Sequence, residues 1–154
     1  MIDFEIPEET RAIRDKVRAF VQSECHPAEE ICTADNFDTV IAELRTKARS
    51  QGLWCPFVPE AHGGMGLRPL ANALVQMELG ESFLGALSLN TQGPDDATML
   101  TLLEHGTDYQ KEAFLKPLLN GEKRICYSMT EKAAGADATG MQTSAVLDGD
   151  EWVL

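Results

Sequence analysis

The side chains in this 154-residue chain that could do chemistry are few and scattered. Cys25, Cys32, Cys55 and Cys126 form no C-x-x-C pair and have no histidine at ligand spacing from any two of them, so we expect no metal site and no redox dithiol. Reduced, buried thiols fit the spacing better. His26, His62 and His105 each fall at the end of an element, without a carboxylate, Cys or Ser partner arranged for a triad. One stretch stands apart. Ile125, Tyr127 and Met129 alternate with Cys126, Ser128 and Thr130, the two-residue repeat of a half-buried strand. Gly135 and the small residues around it then lack bulk that would keep backbone donors away from a ligand. Pattern alone reads this as a strand and a surface loop before it reads it as a binding site.

Whatever this stretch does, the elements before it must position it. Pro7-Glu8-Glu9-Thr10 is a helix start, with proline where no donor is needed and carboxylates at the positive end of the dipole. Ile13, Val17, Phe20 and Val21 continue as one apolar stripe, which Cys25-His26-Pro27 should stop. A second helix is expected from about Asp38, with Val40, Ile41, Leu44 and Ala48 inward, Arg45 and Lys47 outward and Gly52 past its end. Residues 53–59 carry two prolines and run into His62-Gly63-Gly64-Met65-Gly66, which predicts irregular chain. Leu70, Ala73, Leu74 and Met77 mark the apolar stripe of a third helix ending near Gly80, and Phe83 to Leu89 a fourth buried nearly all round. Pro94-Asp95-Asp96 opens another, with Ala97, Leu100 and Leu103 inward and Gly106 as its stop. Thr107 to Gln110 fits a capping box that starts a helix running to Leu119, which Asn120-Gly121 ends.

After Gly121 the period shortens. Beyond the alternating run at 125–130, Gln142 to Leu147 and Glu151 to Leu154 read as strands around Asp148-Gly149-Asp150. The expected fold is mainly α: a helical bundle over residues 1–121, followed over 122–154 by an incomplete antiparallel β segment. So few strands would expose unpaired edges, so the natural protein is expected to continue past Leu154.

A balance of 44% hydrophobic and 25% charged residues predicts a packed globular core. The net charge of -12, with Lys and Arg mostly as singletons, leaves no basic stripe for nucleic acid or an anionic membrane. No apolar run is long enough to cross a bilayer. The acidic start Met1-Ile2-Asp3-Phe4-Glu5 is unlike a secretory leader, so a cytoplasmic location is expected.

The sequence Tyr127-Ser128-Met129-Thr130-Glu131 followed by Ala134-Gly135-Ala136-Asp137, behind an all-helical segment, resembles the acyl-CoA dehydrogenase family. Gly52-Leu53-Trp54 leading to Pro59 through Gly66 belongs to the same pattern, as do His105-Gly106-Thr107 with Gln110-Lys111 and the stretch Leu115 to Glu122. The resemblance spans essentially the whole chain. It implies a helical amino-terminal domain, a middle β domain that binds FAD, and a carboxy-terminal helical domain carrying the catalytic glutamate and the contacts of a homo-oligomer. The implied reaction of fatty-acyl metabolism is α,β-dehydrogenation of an acyl-CoA substrate, with an electron-transferring flavoprotein as acceptor.

On that resemblance Tyr127 and Met129 are candidates for packing or backbone contact with the flavin, and Thr130 for a hydroxyl bond to its edge. Gly135 and Ala136 would supply backbone to FAD, and Ala136 also to the acyl-CoA. Thr98, Met99 and Leu102 are candidates for lining the acyl pocket, although such a stripe is also what a plain core looks like. Glu131 is expected to shape the loop. No catalytic residue is expected in this segment, which would be inactive alone, with the base beyond Leu154. Two positions depart from the family pattern: Lys132 replaces a proline, and Ala136 replaces a serine whose hydroxyl contacts the acyl-CoA, which puts a typical short or medium straight-chain substrate in doubt. Thr91 to Ala97 is similar to a subgroup linked to longer or modified acyl chains. The competing class is a helical interaction or assembly module that has kept this fold without the cofactor.

Overall fold

Pro27 does not stop the first helix. In the computed structural model, which describes residues 5–154, α1 (Glu8–Phe20) passes through a π turn (Val21–Cys25) straight into α2 (His26–Ile31); the acidic Met1–Phe4 stretch lies outside the described residues. A proline inside a regular α-helix loses one hydrogen bond and pushes against the carbonyl four residues back. Here the turn widens just before it, and the His26 N–H donates to Val21 O, five residues back. The same solution recurs where α7 (Asp108–Gln110) continues through the π turn Lys111–Leu115 into α8 (Lys116–Leu119), with the Lys116 N–H on Lys111 O and Pro117 next. In both places a five-residue π turn ends two positions before a proline.

The remaining α-helices and strands are α3 (Phe37–Ser50), α4 (Pro69–Leu79), α5 (Gly85–Ser88), α6 (Asp95–His105), β1 (Val146–Asp148) and β2 (Glu151–Val153). Val17, Phe20 and Val21 pack with Val40, Ile41, Leu44 and Ala48 of α3, Val75 and Leu79 of α4, and Leu53, Leu84 and Leu89. A second cluster joins Trp54, Cys55 and Val58 to Met99, Leu115 and Leu118. At about 1.5–3 kcal/mol for each large side chain removed from water, these two clusters supply the main drive to fold. The expected irregular stretch at 53–59 is the bridge between them: Leu53 enters the first and Trp54 the second. Among the described residues no helix is long and apolar enough to cross a membrane.

Several inward faces differ from the periodicity reading. In α4 the buried residues are Ala71, Val75 and Leu79, whereas Leu70 and Met77 are exposed. Apolar residues occupy both sides of this helix, so two stripes fit the period. The one facing α1 was selected, with Glu78 paired to Arg18 at 2.7 Å beside it. In α6, Asp95 and Met99 are buried and Leu102 and Leu103 pack on the second cluster, while Ala97 and Leu100 are exposed. The expected fourth helix shrinks to Gly85–Ser88, and Phe83 is exposed. The Thr107–Gln110 capping box is formed, with both reciprocal bonds present.

Ile125–Thr130 forms no strand, because among the described residues nothing pairs with it; alternation needs a neighbouring strand before it becomes a ladder. The hairpin does form, but shorter than expected. Val146 pairs with Val153, Leu147 with Trp152 and Asp148 with Glu151, and Gly149 supplies the positive φ of the tight turn. The architecture is mainly α with one small antiparallel hairpin.

The two faces of α4 can be told apart by mutation. Leu79→Ala should lower the unfolding free energy by about 2–5 kcal/mol, and Met77→Ala should change it by no more than about 0.5 kcal/mol, both read from urea unfolding. Equal effects would mean that the wrong face has been assigned to the core.

Candidate functional site

The last four carbonyls of a helix have no partner inside it. At the end of α8 each of four successive carbonyls is met by a side chain from elsewhere. Asn90 Nδ2 donates to Leu118 O at 2.9 Å, Trp54 Nε1 to Leu119 O at 2.9 Å, Arg49 to Asn120 O and Arg45 Nη1 to Gly121 O at 2.6 Å. Cations suit the negative end of a helix dipole. Arg49 also stacks 3.7 Å over the Trp54 ring. Gly121 turns here at φ +68°, and a Cβ on it would come within 3.1 Å of both Arg45 Nη1 and the Trp54 ring.

Arg45 is therefore not the outward residue that its helix position suggests. It is half-buried, also donates from Nε to Leu87 O at 3.1 Å, and has its pKa lowered by burial and then by the positive charge of Arg124. The clamp also needs unusual backbone. Asn90 (φ 54°) and Cys55 (φ 44°) are left-handed, a conformation asparagine tolerates and most residues avoid. They are joined by Cys55 N to Leu89 O at 2.9 Å and by Asn90 Nδ2 to Cys55 Sγ at 3.3 Å. Burial raises the pKa of the Cys55 thiol, and likewise that of Cys25. Both are free and buried, as expected, whereas Cys126 is exposed.

Beyond this clamp the chain is caught once more. Asp95, with 0% of its surface exposed, accepts from Ile125 N at 2.8 Å through Oδ1 and from Gln92 Nε2 at 3.0 Å through Oδ2. Beside it, Asp96 has its pKa raised by burial first and by the neighbouring Asp95 charge as well. Next to this junction Thr98, Leu102, Phe114, Leu118 and Ile125 surround an apolar cavity of about 250 Å³, with Lys123 and Arg124 also on its wall. Of the three candidates on α6, Thr98 and Leu102 thus come together at one cavity. Met99 is fully buried in the second cluster behind it.

The remaining candidates lie along one solvent-facing stretch. Tyr127 is 71% exposed, and Met129, Thr130, Gly135 and Ala136 are exposed too. Among the described residues the backbone groups of 126–130 and the Thr130 hydroxyl have no hydrogen-bond partner, and nothing lies within 4 Å of a Cβ placed on Gly135. That combination of apolar side chains, free backbone groups and an open glycine suits a flat ligand with a polar edge.

Glu131 organises the loop that follows. Its carboxylate accepts from Gln142 N at 2.9 Å and Thr143 N at 2.8 Å, while the Glu131 and Ala134 backbones bond reciprocally. Its pKa is lowered by the Thr143 side chain first and then by the Gln142 and Thr143 N–H groups. That of Asp137 is lowered by the Thr139 side chain and N–H. Sequence reasoning placed Glu131 correctly as a loop former. It missed Asp95, because an Asp after Pro at a helix start reads as ordinary end chemistry, and it missed Asn90, for which no sequence signal stood out.

Residues 7–122 match the family model "Acyl-CoA dehydrogenase, N-terminal domain". The chain is 36% identical to "Acyl-CoA dehydrogenase family member 11" of Gallus gallus over 90% of its own length and 19% of that protein. It is 32% identical to "Acyl-CoA dehydrogenase, short-chain specific" of Clostridium acetobutylicum, over 99% of its own length and 40% of that protein. The solved structure of a protein from Mycobacterium abscessus, provisionally named an acyl-CoA dehydrogenase, superposes with a TM-score of 0.87 at 31% identity, over 97% of this chain and 41% of that one. The chain thus spans between 19% and 41% of the length of these proteins.

The loop should respond to acid. A carboxylate whose folded pKa is depressed contributes its bonds above the ordinary glutamate value of 4.5 and loses them as pH falls through the lower, folded value. The Gln142 and Thr143 amide protons, followed by NMR, should therefore titrate with a midpoint below 4.5, and Glu131→Gln should abolish that transition. A midpoint at or above the ordinary value would contradict the hydrogen bonding described.

Proposed function

Since the chain belongs to the acyl-CoA dehydrogenase family, we propose that it is the amino-terminal part of an FAD-dependent oxidoreductase that introduces an α,β double bond into an acyl-CoA thioester. The main support is the continuous match over residues 7–122. It leads directly into a stretch whose exposed apolar side chains and unpartnered backbone suit a flavin. We place the boundary between the helical domain, 1–121, and the start of the flavin-binding β domain, 122–154, at the clamped end of α8.

The flavin, when bound, supplies an acceptor for the hydride that leaves the substrate Cβ. This chain's part is to bind, orient and exclude water. Met129 and Tyr127 would cover the ring with apolar surface, and the Thr130 hydroxyl and nearby backbone would bond its polar edge. Gly135 and Ala136 would bring backbone N–H groups to the diphosphate or the thioester without a side chain in the way. Ala136 has no hydroxyl to add. The acyl chain would lie against Thr98 and Leu102 in the cavity they share with Ile125 and Phe114, with Met99 packing behind that wall.

No carboxylate in this segment is assigned as the base that takes the α-proton. Both oxygens of Asp95 are already occupied by donors, and Glu131 is committed to its loop. The intact protein would act as a cytoplasmic homo-oligomer in lipid metabolism and pass its electrons to an electron-transferring flavoprotein.

The intact protein purified from cells should carry flavin in near-equal amount to protein and reduce a dye acceptor when given acyl-CoA, whereas residues 1–154 alone should show no turnover. An intact protein that takes up no FAD would instead be a helical assembly module. Turnover by the isolated segment would place the base within it.

A further inference from the structure

We propose that Asp95 is a positioning residue that fixes how the chain leaves the helical body, and so sets where residues 126–130 present themselves. Its meaning for catalysis rests on the flavin reading above. Among the described residues, the bond from Ile125 N to Asp95 Oδ1 at 2.8 Å is the last hydrogen bond between the helical body and everything after it. The segment carrying Tyr127, Met129 and Thr130 therefore starts from a single anchor. A two-residue slip there would move each side chain by a full strand period, and a one-residue slip would turn it to the opposite face.

The anchor is itself firmly placed. Asp95 is fully buried at the first turn of the 11-residue helix α6, where the helix dipole favours a negative charge. Gln92 holds its second oxygen at 3.0 Å. Thr91, the neighbour of Gln92, accepts from Gln76 Nε2 of α4 at 2.7 Å. The Arg45 guanidinium feels the Asp95 charge and is fastened to Gly121 O. The carboxylate therefore refers the Ile125 amide to α4, to α6 and to the clamp on α8 together. Hydrogen bonds to an ionised acceptor are short and directional, which suits an atom that must fix one register.

The test compares Asp95→Leu, which has similar bulk and no acceptor, with Asp95→Asn, which keeps an oxygen for the Ile125 amide, in the intact flavoprotein. Asp95→Leu should speed hydrogen exchange of the Ile125 amide, the one that Asp95 holds, by about tenfold or more while α1 and α3 exchange as before. It should also weaken FAD binding by about tenfold or more and lower kcat more than it changes KM. Asp95→Asn should return these readouts to within about threefold of the native protein, because the acceptor is restored. The proposal is overturned if Asp95→Leu leaves exchange of the Ile125 amide unchanged. It is equally overturned if exchange rises throughout α1 and α3 and asparagine rescues nothing, which would mark a plain structural role. A native protein that takes up no FAD would remove the flavin reading, and the exchange comparison would still decide whether Asp95 fixes the segment.

Discussion

Four consecutive backbone carbonyls, Leu118 to Gly121, accept hydrogen bonds from four side chains on distant parts of the chain: Asn90, Trp54, Arg49 and Arg45. Leu118 is buried and Leu119 and Gly121 are half-buried, and a buried carbonyl left without a partner costs about 1–3 kcal/mol, so these bonds favour placing α8 against the body. It explains several otherwise unrelated features. Cys55 and Asn90 adopt left-handed backbone so that Trp54 and the Asn90 amide can reach the same helix end. Arg45 accepts a half-buried site beside other cations because Leu87 O and Gly121 O hold it there. Glycine suits position 121, because at φ +68° a side chain would be strained and its Cβ would crowd Arg45 and Trp54 at 3.1 Å.

The clamp is also where the helical body hands the chain on. Gly121 turns it, Lys123 N bonds back to Pro117 O, and Asp95 takes the Ile125 amide. Within a few residues the chain passes from a packed helix end to a stretch of exposed residues with free backbone groups. The apolar cavity bounded by Thr98, Leu102, Phe114 and Ile125 lies at this transition. Under the proposed function this exit would aim the stretch that meets the flavin, and placement errors of an ångström weaken an oriented site.

Much of this could be read from the chain before any coordinates. Helix positions followed from apolar period and from Pro and Gly punctuation, and Thr107 with Gln110 gave the capping box outright. The stretch at 53–59 was irregular, as its prolines required. What failed has physical causes. Pro27 reads as a helix stop, but a π turn relieves the clash and lets the helix run on. In α4 the apolar residues fill two faces, and only the partner α1 chooses between them. The alternation at Ile125–Thr130 signals a strand, and a strand needs a neighbour. The residues that anchor the site, Arg45, Asn90 and Asp95, were hidden because long-range pairing of a polar side chain with backbone leaves no periodic trace. The family pattern nevertheless pointed at both sides of the clamp, since Gly52-Leu53-Trp54 and Leu115 to Glu122 are the segments that meet there.

The clamp can be observed directly through the two tryptophans. The Trp54 indole N–H is bonded to Leu119 O inside the second cluster, whereas Trp152 on the hairpin is 67% exposed. In a proton–nitrogen NMR spectrum recorded after transfer to heavy water, the Trp54 indole signal should persist long after that of Trp152 has gone. If both indole protons exchange at the same fast rate, the end of α8 is not clamped, and the positioning of all that follows it loses its basis.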